Sequence, residues 1–281
     1  MILKEFGKTG WKVSEIGMGT YYDKPWIRVA KHGWPMGGRT KVKALNAGLD
    51  RGIDFVDTAE AYHTEPLVAK AMRGRAREGV FIATKVWLDN LRRDDLVRAL
   101  ERSLRLLQTP YVDLYQIHFP NPKIPIRETM GAMEEMVGLG KVRAIGVSNF
   151  SLEQMVEANS ALSKHEIAAC QVNYSLIHRK VENDIIPYCQ RNRIALIAYY
   201  PLGHGLLAQS AKLAEVAGRN KRTPAQVALN WLVSRELVFA IPRASRPDHV
   251  IEDAGASDWR LGPGDIQLLE KEFPVEPTAA H

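Results

Sequence analysis

Short apolar, β-branched runs recur along the chain at residues 16–20, 53–57, 80–85, 112–118, 142–147, 167–173, 194–199 and 237–241. Continuous apolar runs of this length suit strands covered on both faces, as in a parallel sheet. Between them the period changes. Leu96, Leu100, Leu104 and Leu107 recur at helical spacing and form one apolar face. Ser151 with Gln154 reads as a capping box, and Thr223-Pro224-Ala225-Gln226 as another. In the second, proline takes the first helical position, where its missing N–H costs nothing. Gly52 and Gly140 stand where helix C-caps belong, just ahead of the next apolar run. Eight strand–helix repeats predict an α/β protein closed into a (β/α)8 TIM barrel. A doubly wound sheet is the rival topology. If it bound a dinucleotide it would bring Gly-x-Gly-x-x-Gly after its first strand, and Gly17-Met18-Gly19 does not continue into that motif.

Ahead of the first run, residues 1–14 place Lys8-Thr9-Gly10 between two short extended stretches. They predict a β-hairpin at the bottom of the barrel, with Gly10 in its turn. No linker or low-complexity tract interrupts residues 1–281, which read as a single barrel domain. No run of about 20 apolar residues is present to span a membrane. The first residues lack the basic and apolar regions of a signal peptide, so a cytoplasmic protein is expected. The net charge of +6 raises the question of nucleic acid. Pairs such as Arg93-Asp94 and Glu101-Arg102 interleave the signs, which points to solvated helix faces instead. Cys170 and Cys189 are the two cysteines, and neither sits in a Cys-x-x-Cys pair.

The apolar runs end in polar residues: Asp57, Lys85, His118, Ser148-Asn149, Gln171-Val172-Asn173 and Tyr199. Barrel active sites form at the C-terminal ends of strands, so six strands deliver polar groups to one rim. Any one of these has a bland reading as a cap or a satisfied core residue; their convergence favours a site. A lysine there is partly desolvated and needs a carboxylate, for which Asp57, one strand over, is placed. Tyr62 follows Asp57 closely enough to fold back over the rim. The lysine's charge is expected to lower the tyrosine's pKa by favouring phenolate. Such a tyrosine can protonate a forming alkoxide, and His118 can orient the same carbonyl oxygen. No pair of histidines has metal-ligand spacing, so the site is read without a metal.

These residues resemble the aldo-keto reductase family over nearly the whole chain. Asp57-Thr58-Ala59-Glu60-Ala61-Tyr62 is similar to its first signature. Ala83-Thr84-Lys85-Val86-Trp87 carries its lysine and Asp113-Leu114-Tyr115-Gln116-Ile117-His118 its histidine. The run from Gly140 to Phe150, ending Gly146-Val147-Ser148-Asn149-Phe150, resembles its second signature. The resemblance implies reversible reduction of aldehydes and ketones by NADPH, with NADH as a weaker alternative. It makes Tyr62 the general acid, tuned by Lys85 and Asp57, with His118 positioning a small carbonyl substrate. Ser148, Asn149 and Gln171 would hold the nicotinamide carboxamide and Tyr199 would stack on its ring, with Gly19 and Thr20 beside them. Pro201-Leu202-Gly203-His204-Gly205-Leu206-Leu207 resembles the loop over the pyrophosphate. Ser245 and Arg246 would bind the adenosine 2′-phosphate, with Arg243, His249 and Asp253 around the adenine end. Three of these depart from the family: Arg243 replaces a common glycine, His249 a glutamine and Asp253 an asparagine.

Two other functions fit parts of the pattern. One is a Schiff-base aldolase with Lys85 as nucleophile. The other is an NADPH-binding redox sensor or subunit with little turnover. Neither nucleic acid nor membrane is an expected partner, and a monomer or weak oligomer is. Residues 21–38 form a long segment after the first strand. It is read as a loop and candidate lid, with Tyr21, Trp26 and Trp34 joining Trp87 and Phe119 around the substrate.

Overall fold

A computed structural model describes residues 1–33 and 37–276. A hairpin of β1 (Leu3–Glu5) and β2 (Lys12–Ser14) leads the chain. Eight parallel strands then pair in sequence order: β3 (Met18–Gly19), β4 (Phe55–Asp57), β5 (Phe81–Val86), β6 (Val112–Ile117), β7 (Val142–Ser148), β8 (Ile167–Asn173), β9 (Ala195–Tyr199) and β10 (Val238–Ala240). The first and last strands close on each other through parallel bridges, Ile16 with Ala240 and Gly19 with Arg243. Gly17 N donates to the Ala240 carbonyl and Gly19 N to that of Pro242, both at 2.8 Å. A Cβ on Gly19 would stand 2.9 Å from the Ile241 carbonyl oxygen, so this seam needs glycine there. The predicted (β/α)8 TIM barrel with an N-terminal hairpin is the fold observed.

The helices exceed one per repeat. After β3 come α1 (Lys24–Ala30) and α2 (Gly38–Leu49). Single helices follow the next five strands: α3 (Glu65–Ala71), α4 (Arg93–Leu107), α5 (Ile126–Gly138), α6 (Leu152–Ser160) and α7 (Ile185–Asn192). After β9 come α8 (Ala211–Asn220) and α9 (Pro224–Val233), and after β10 α10 (Pro247–Ala254) and α11 (Pro263–Glu272). The two capping boxes are present as read, at Ser151–Gln154 and Thr223–Gln226. Gly52 and Gly140 both adopt positive φ just beyond α2 and α5.

The segment at 21–38 is where the reading of a loop is corrected. Asp23 caps α1 by accepting from Trp26 N at 2.6 Å, and Pro25 sits in the first turn. The sequence Asp-Lys-Pro is itself a helix-start signature.

Two apolar layers hold the barrel. One lies between the sheet and its helices, and the other fills the barrel interior with Phe55, Phe81, Leu114, Ile197 and Phe239. The hairpin loop seats Phe6 on that interior, with its ring 4.8 Å from Phe81 and 5.0 Å from Phe239. The same inward-facing positions, followed up each strand, end at the polar rim.

Candidate active site

Lys85 is fully buried at the end of β5. Its ammonium donates to Asp57 Oδ1 at 2.8 Å, Asp57 Oδ2 at 2.7 Å and the Thr58 carbonyl at 2.9 Å. An ammonium has three protons, so all are engaged. Asp57 Oδ1 also accepts from Gln171 Nε2 at 2.8 Å. Burial pulls the Lys85 pKa down and the Asp57 carboxylate opposes that pull. With its protons committed to a carboxylate, this lysine has no free lone pair to act as a Schiff-base nucleophile.

Tyr62 ends a short turn, Glu60–Tyr62, that follows β4 and stops at His63 in the left-handed region (φ 54°). Hydroxyls fasten this turn from beneath. Thr64 Oγ1 lies 2.8 Å from Thr20 Oγ1 and 3.0 Å from Thr58 Oγ1, and Thr20 also donates to the Asp57 carbonyl. Tyr62 Oη is 3.2 Å from His118 Nε2. The Lys85 ammonium lies 5.1 Å from the centre of the Tyr62 ring.

The expected lowering of the Tyr62 pKa is therefore corrected. Burial first, and the Asp57 carboxylate second, hold the phenol well above its ordinary value. The lysine's charge is balanced by Asp57, and its three protons go to Asp57 and the Thr58 carbonyl. Burial, helped by the Lys85 charge, pushes His118 down to about 3, so its imidazole is neutral. The imidazole stands edge-on to Trp87 and stacks on Phe119 at 5.1 Å. Glu60 supports this wall by accepting from Trp87 N and from Asn90 Nδ2.

A cavity of about 520 Å³ opens over these groups. Asp57, Tyr62, His118, Gly19, Ser148, Asn149, Gln171, Tyr199, Pro201 and Arg243 line it, with Tyr21, Trp87 and Phe119. Asn149 holds left-handed backbone (φ 61°) and spends its amide on the His118 carbonyl and on Ser148 Oγ, while its Oδ1 accepts from Tyr199 Oη at 2.7 Å. The Tyr199 ring is thus fixed against the cavity. The Ser148 hydroxyl hydrogen and Gln171 Oε1 make no bond to the described residues, which leaves a donor and an acceptor on one wall. That pair, with a fixed aromatic ring beside it, matches a planar carboxamide-bearing heterocycle such as nicotinamide.

Other expected positions lie elsewhere. Thr20 is fully buried and spends its hydroxyl on Asp57 and Thr64. Trp26 faces away from the main cavity. Its ring meets Tyr22 at 5.1 Å, and it lines a smaller second cleft with His63 and Leu106. Helix rotation is the reason: from the same helix Lys24, Ile27 and Arg28 face the main cavity. Trp34 lies outside the described residues. Of the segment 201–205, Pro201 lines the cavity, and Gly203 and Gly205 take positive φ in the turn beyond it.

Arg246 stands just ahead of α10 and pairs with Asp248 at 2.6 Å on the surface, with Ser245 beside it and His249 exposed. Asp253, in the same helix, is buried, and burial raises its carboxyl to about 8. Sequence reasoning missed Tyr200, which lines the cavity from left-handed backbone (φ 50°) and meets Tyr21 edge-on at 6.2 Å. Its one signal was adjacency to Tyr199. Among the described residues no group of three or more histidine, cysteine or acidic side chains is placed to hold a metal, and no helix is long and apolar enough to cross a membrane.

The family model described as Aldo/keto reductase family matches residues 15–271. Methylglyoxal reductase YeaE of Escherichia coli (strain K12) is 36% identical over 246 residues, spanning 84% of this chain and 86% of that one. A thermostable aldo-keto reductase solved with the inhibitor epalrestat superposes with a TM-score of 0.88 at 40% identity, over 96% of this chain and 99% of that one. An aldo-keto reductase of Klebsiella pneumoniae solved with NADPH gives a TM-score of 0.88 at 33% identity, over 100% and 98%.

Proposed function

Because the chain belongs to the aldo-keto reductase family, we propose that Tyr62, Lys85, Asp57 and His118 carry its NADPH-dependent reduction of small aldehydes and ketones. The observation that carries this is the buried Lys85–Asp57 pair beneath a phenol that faces the cavity beside a neutral histidine. NADPH, when bound, supplies the hydride. Tyr62 gives its proton to the carbonyl oxygen as negative charge builds there. A phenol held above its ordinary pKa still transfers downhill, because an alkoxide is a far stronger base than a phenolate. The Lys85 charge, 5.1 Å from the ring, stabilises the phenolate that remains. His118, neutral through the working range, offers Nε2 to hold the substrate oxygen against Tyr62 without competing for the proton.

For the cofactor, Ser148 and Gln171 would take the carboxamide, with Asn149 fixing Tyr199 for stacking. Gly19 admits the closing strand close to it. Pro201, Leu202, Gly203 and Gly205 would cover the pyrophosphate. Ser245 and Arg246, with Asp248 displaced, would take the 2′-phosphate, and Arg243, His249 and Asp253 the adenine end. Both cysteines are free and buried, which suits a reducing compartment such as the cytoplasm.

The test is consumption of NADPH, followed by its absorbance, with methylglyoxal and a panel of simple aldehydes and ketones. Methylglyoxal comes first because a relative is named for it. Turnover untouched by a chelator is expected. Absence of turnover across the panel, or turnover lost to a chelator and restored by zinc, would overturn the reading.

A further inference from the structure

Helix α1 begins three positions after Tyr21, whose ring stands 5.2 Å from that of Tyr62. It therefore hangs over the cavity on the side of the proton donor. Its rotation is fixed by Trp26 packing on Tyr22 and by the Asp23 cap. Lys24, Ile27 and Arg28, spaced i, i+3 and i+4, face the cavity as a result. Among the described residues neither Lys24 nor Arg28 has an ion-pair or hydrogen-bond partner, although many of the chain's other arginines do, as Arg246 does with Asp248.

Among the described residues that line the cavity Asp57 is the one carboxylate, and it is engaged by Lys85 and Gln171. The cavity's uncommitted charge is thus positive. Arg243 is partly occupied, since it donates to the Tyr22 carbonyl. Arg246, the cation proposed for the cofactor's 2′-phosphate at the start of α10, does not line this cavity. That leaves the two cations of α1 without an assignment.

We propose that Lys24 and Arg28 form a recognition pair that makes this enzyme prefer carbonyl compounds bearing a carboxylate, small oxo acids in particular. The inference rests on the reductase reading above. Aromatic walls from Trp87, Phe119 and the tyrosines take the carbon chain, Tyr62 and His118 take the carbonyl, and α1 takes the anion at the mouth. Both side chains are exposed, so solvent and salt weaken the attraction; a preference of about 3- to 20-fold is the scale two such contacts reach.

The test compares succinic semialdehyde with its methyl ester, which keeps the aldehyde and removes the charge. In the wild type kcat/KM should favour the acid, chiefly through KM, and the preference should shrink as salt rises. In the double variant Lys24→Gln/Arg28→Gln the acid-over-ester ratio should fall toward one. The NADPH dissociation constant, read from tryptophan fluorescence quenching, should not change. Equal use of acid and ester by the wild type overturns the proposal and leaves the reductase reading standing. A double variant that loses NADPH affinity and serves both substrates equally less well also overturns it, because the two cations then belong to the cofactor. No NADPH-dependent turnover of either compound by the wild type would instead overturn the reductase reading, and the proposal with it.

Discussion

Tyr62 shows how much a single hydroxyl depends on its neighbours' commitments. Its place at the rim was legible, because an Asp-to-Tyr spacing after an apolar run returns the phenol to the strand ends. The direction of its pKa was not legible. It depends on where the protons of Lys85 go, and they go to Asp57 and the Thr58 carbonyl. If Tyr62 is the donor, Tyr62→Phe should lower kcat by roughly 10²-fold or more, the scale of general acid catalysis. NADPH affinity, read by fluorescence quenching, should be nearly unchanged. Undiminished turnover would remove Tyr62 from the chemistry.

His118 makes a second prediction through its protonation. The folded imidazole titrates near 3, whereas an unfolded histidine takes its proton near 6.5. The unfolded chain therefore binds the proton first. The stability that His118 contributes is intact above about pH 6.5 and is lost as pH falls from there toward 3. In thermal denaturation, the wild type should lose more stability than His118→Gln between about pH 7 and pH 5. Parallel losses would mean that the imidazole is not held neutral.

At the scale of elements, local signals were read correctly where they were self-contained. A capping box needs one turn of chain, and both predicted boxes formed. The α1 helix was missed because its seven residues carry too little apolar periodicity to announce a face, although Asp23-Lys24-Pro25 marks its start. Which side of it faced the cavity was set by Trp26 on Tyr22, a contact no local pattern encodes.

Helix α10 offers a test at a buried acid. Asp253 is buried and has no hydrogen-bond partner for its carboxyl among the described residues, and burial raises it to about 8. An unfolded aspartate ionises near 3.8. The stability linked to the neutral carboxyl is complete below about pH 3.8 and is lost as pH rises toward 8. Asp253→Asn removes that loss. The variant should be more stable than the wild type at pH 8 by roughly 1–3 kcal/mol, the scale of an unsatisfied buried polar group. The gain should shrink as pH falls and be largely gone at about pH 4. A gain independent of pH would mean that packing, not charge, separates the two side chains.

At the scale of the whole molecule, the eight-fold alternation of apolar runs and helical stretches specified the barrel, because a closed parallel sheet is what buries every such run on both faces. The closing seam could not be read from it. Bridges from Ile16 and Gly19 to the last strand lie outside the regular ladders and depend on how the ends meet in space. The rim and the floor of the barrel are also separable. Phe6 enters from the bottom, fully buried, and packs with Phe55, Phe81 and Phe239 at ring distances of 4.8–6.2 Å. Gly7 lets its loop turn against the barrel, at φ 60° and with the Arg193 carbonyl oxygen 2.8 Å from where a Cβ would be. Phe6→Ala would open a cavity among aromatic rings and should cost about 3–5 kcal/mol. In a chain of this size that lowers the melting temperature by roughly 6–20 °C. Phe6 sits in the hairpin loop at the N-terminal end of the strands, while Tyr62, Lys85 and His118 sit at their C-terminal ends. At a temperature where the variant remains folded, its KM for carbonyl substrates and its NADPH affinity should therefore match the wild type. A variant equally stable to heat would show that the hairpin is not part of the core, and a changed KM would show that the floor of the barrel shapes the site at its rim.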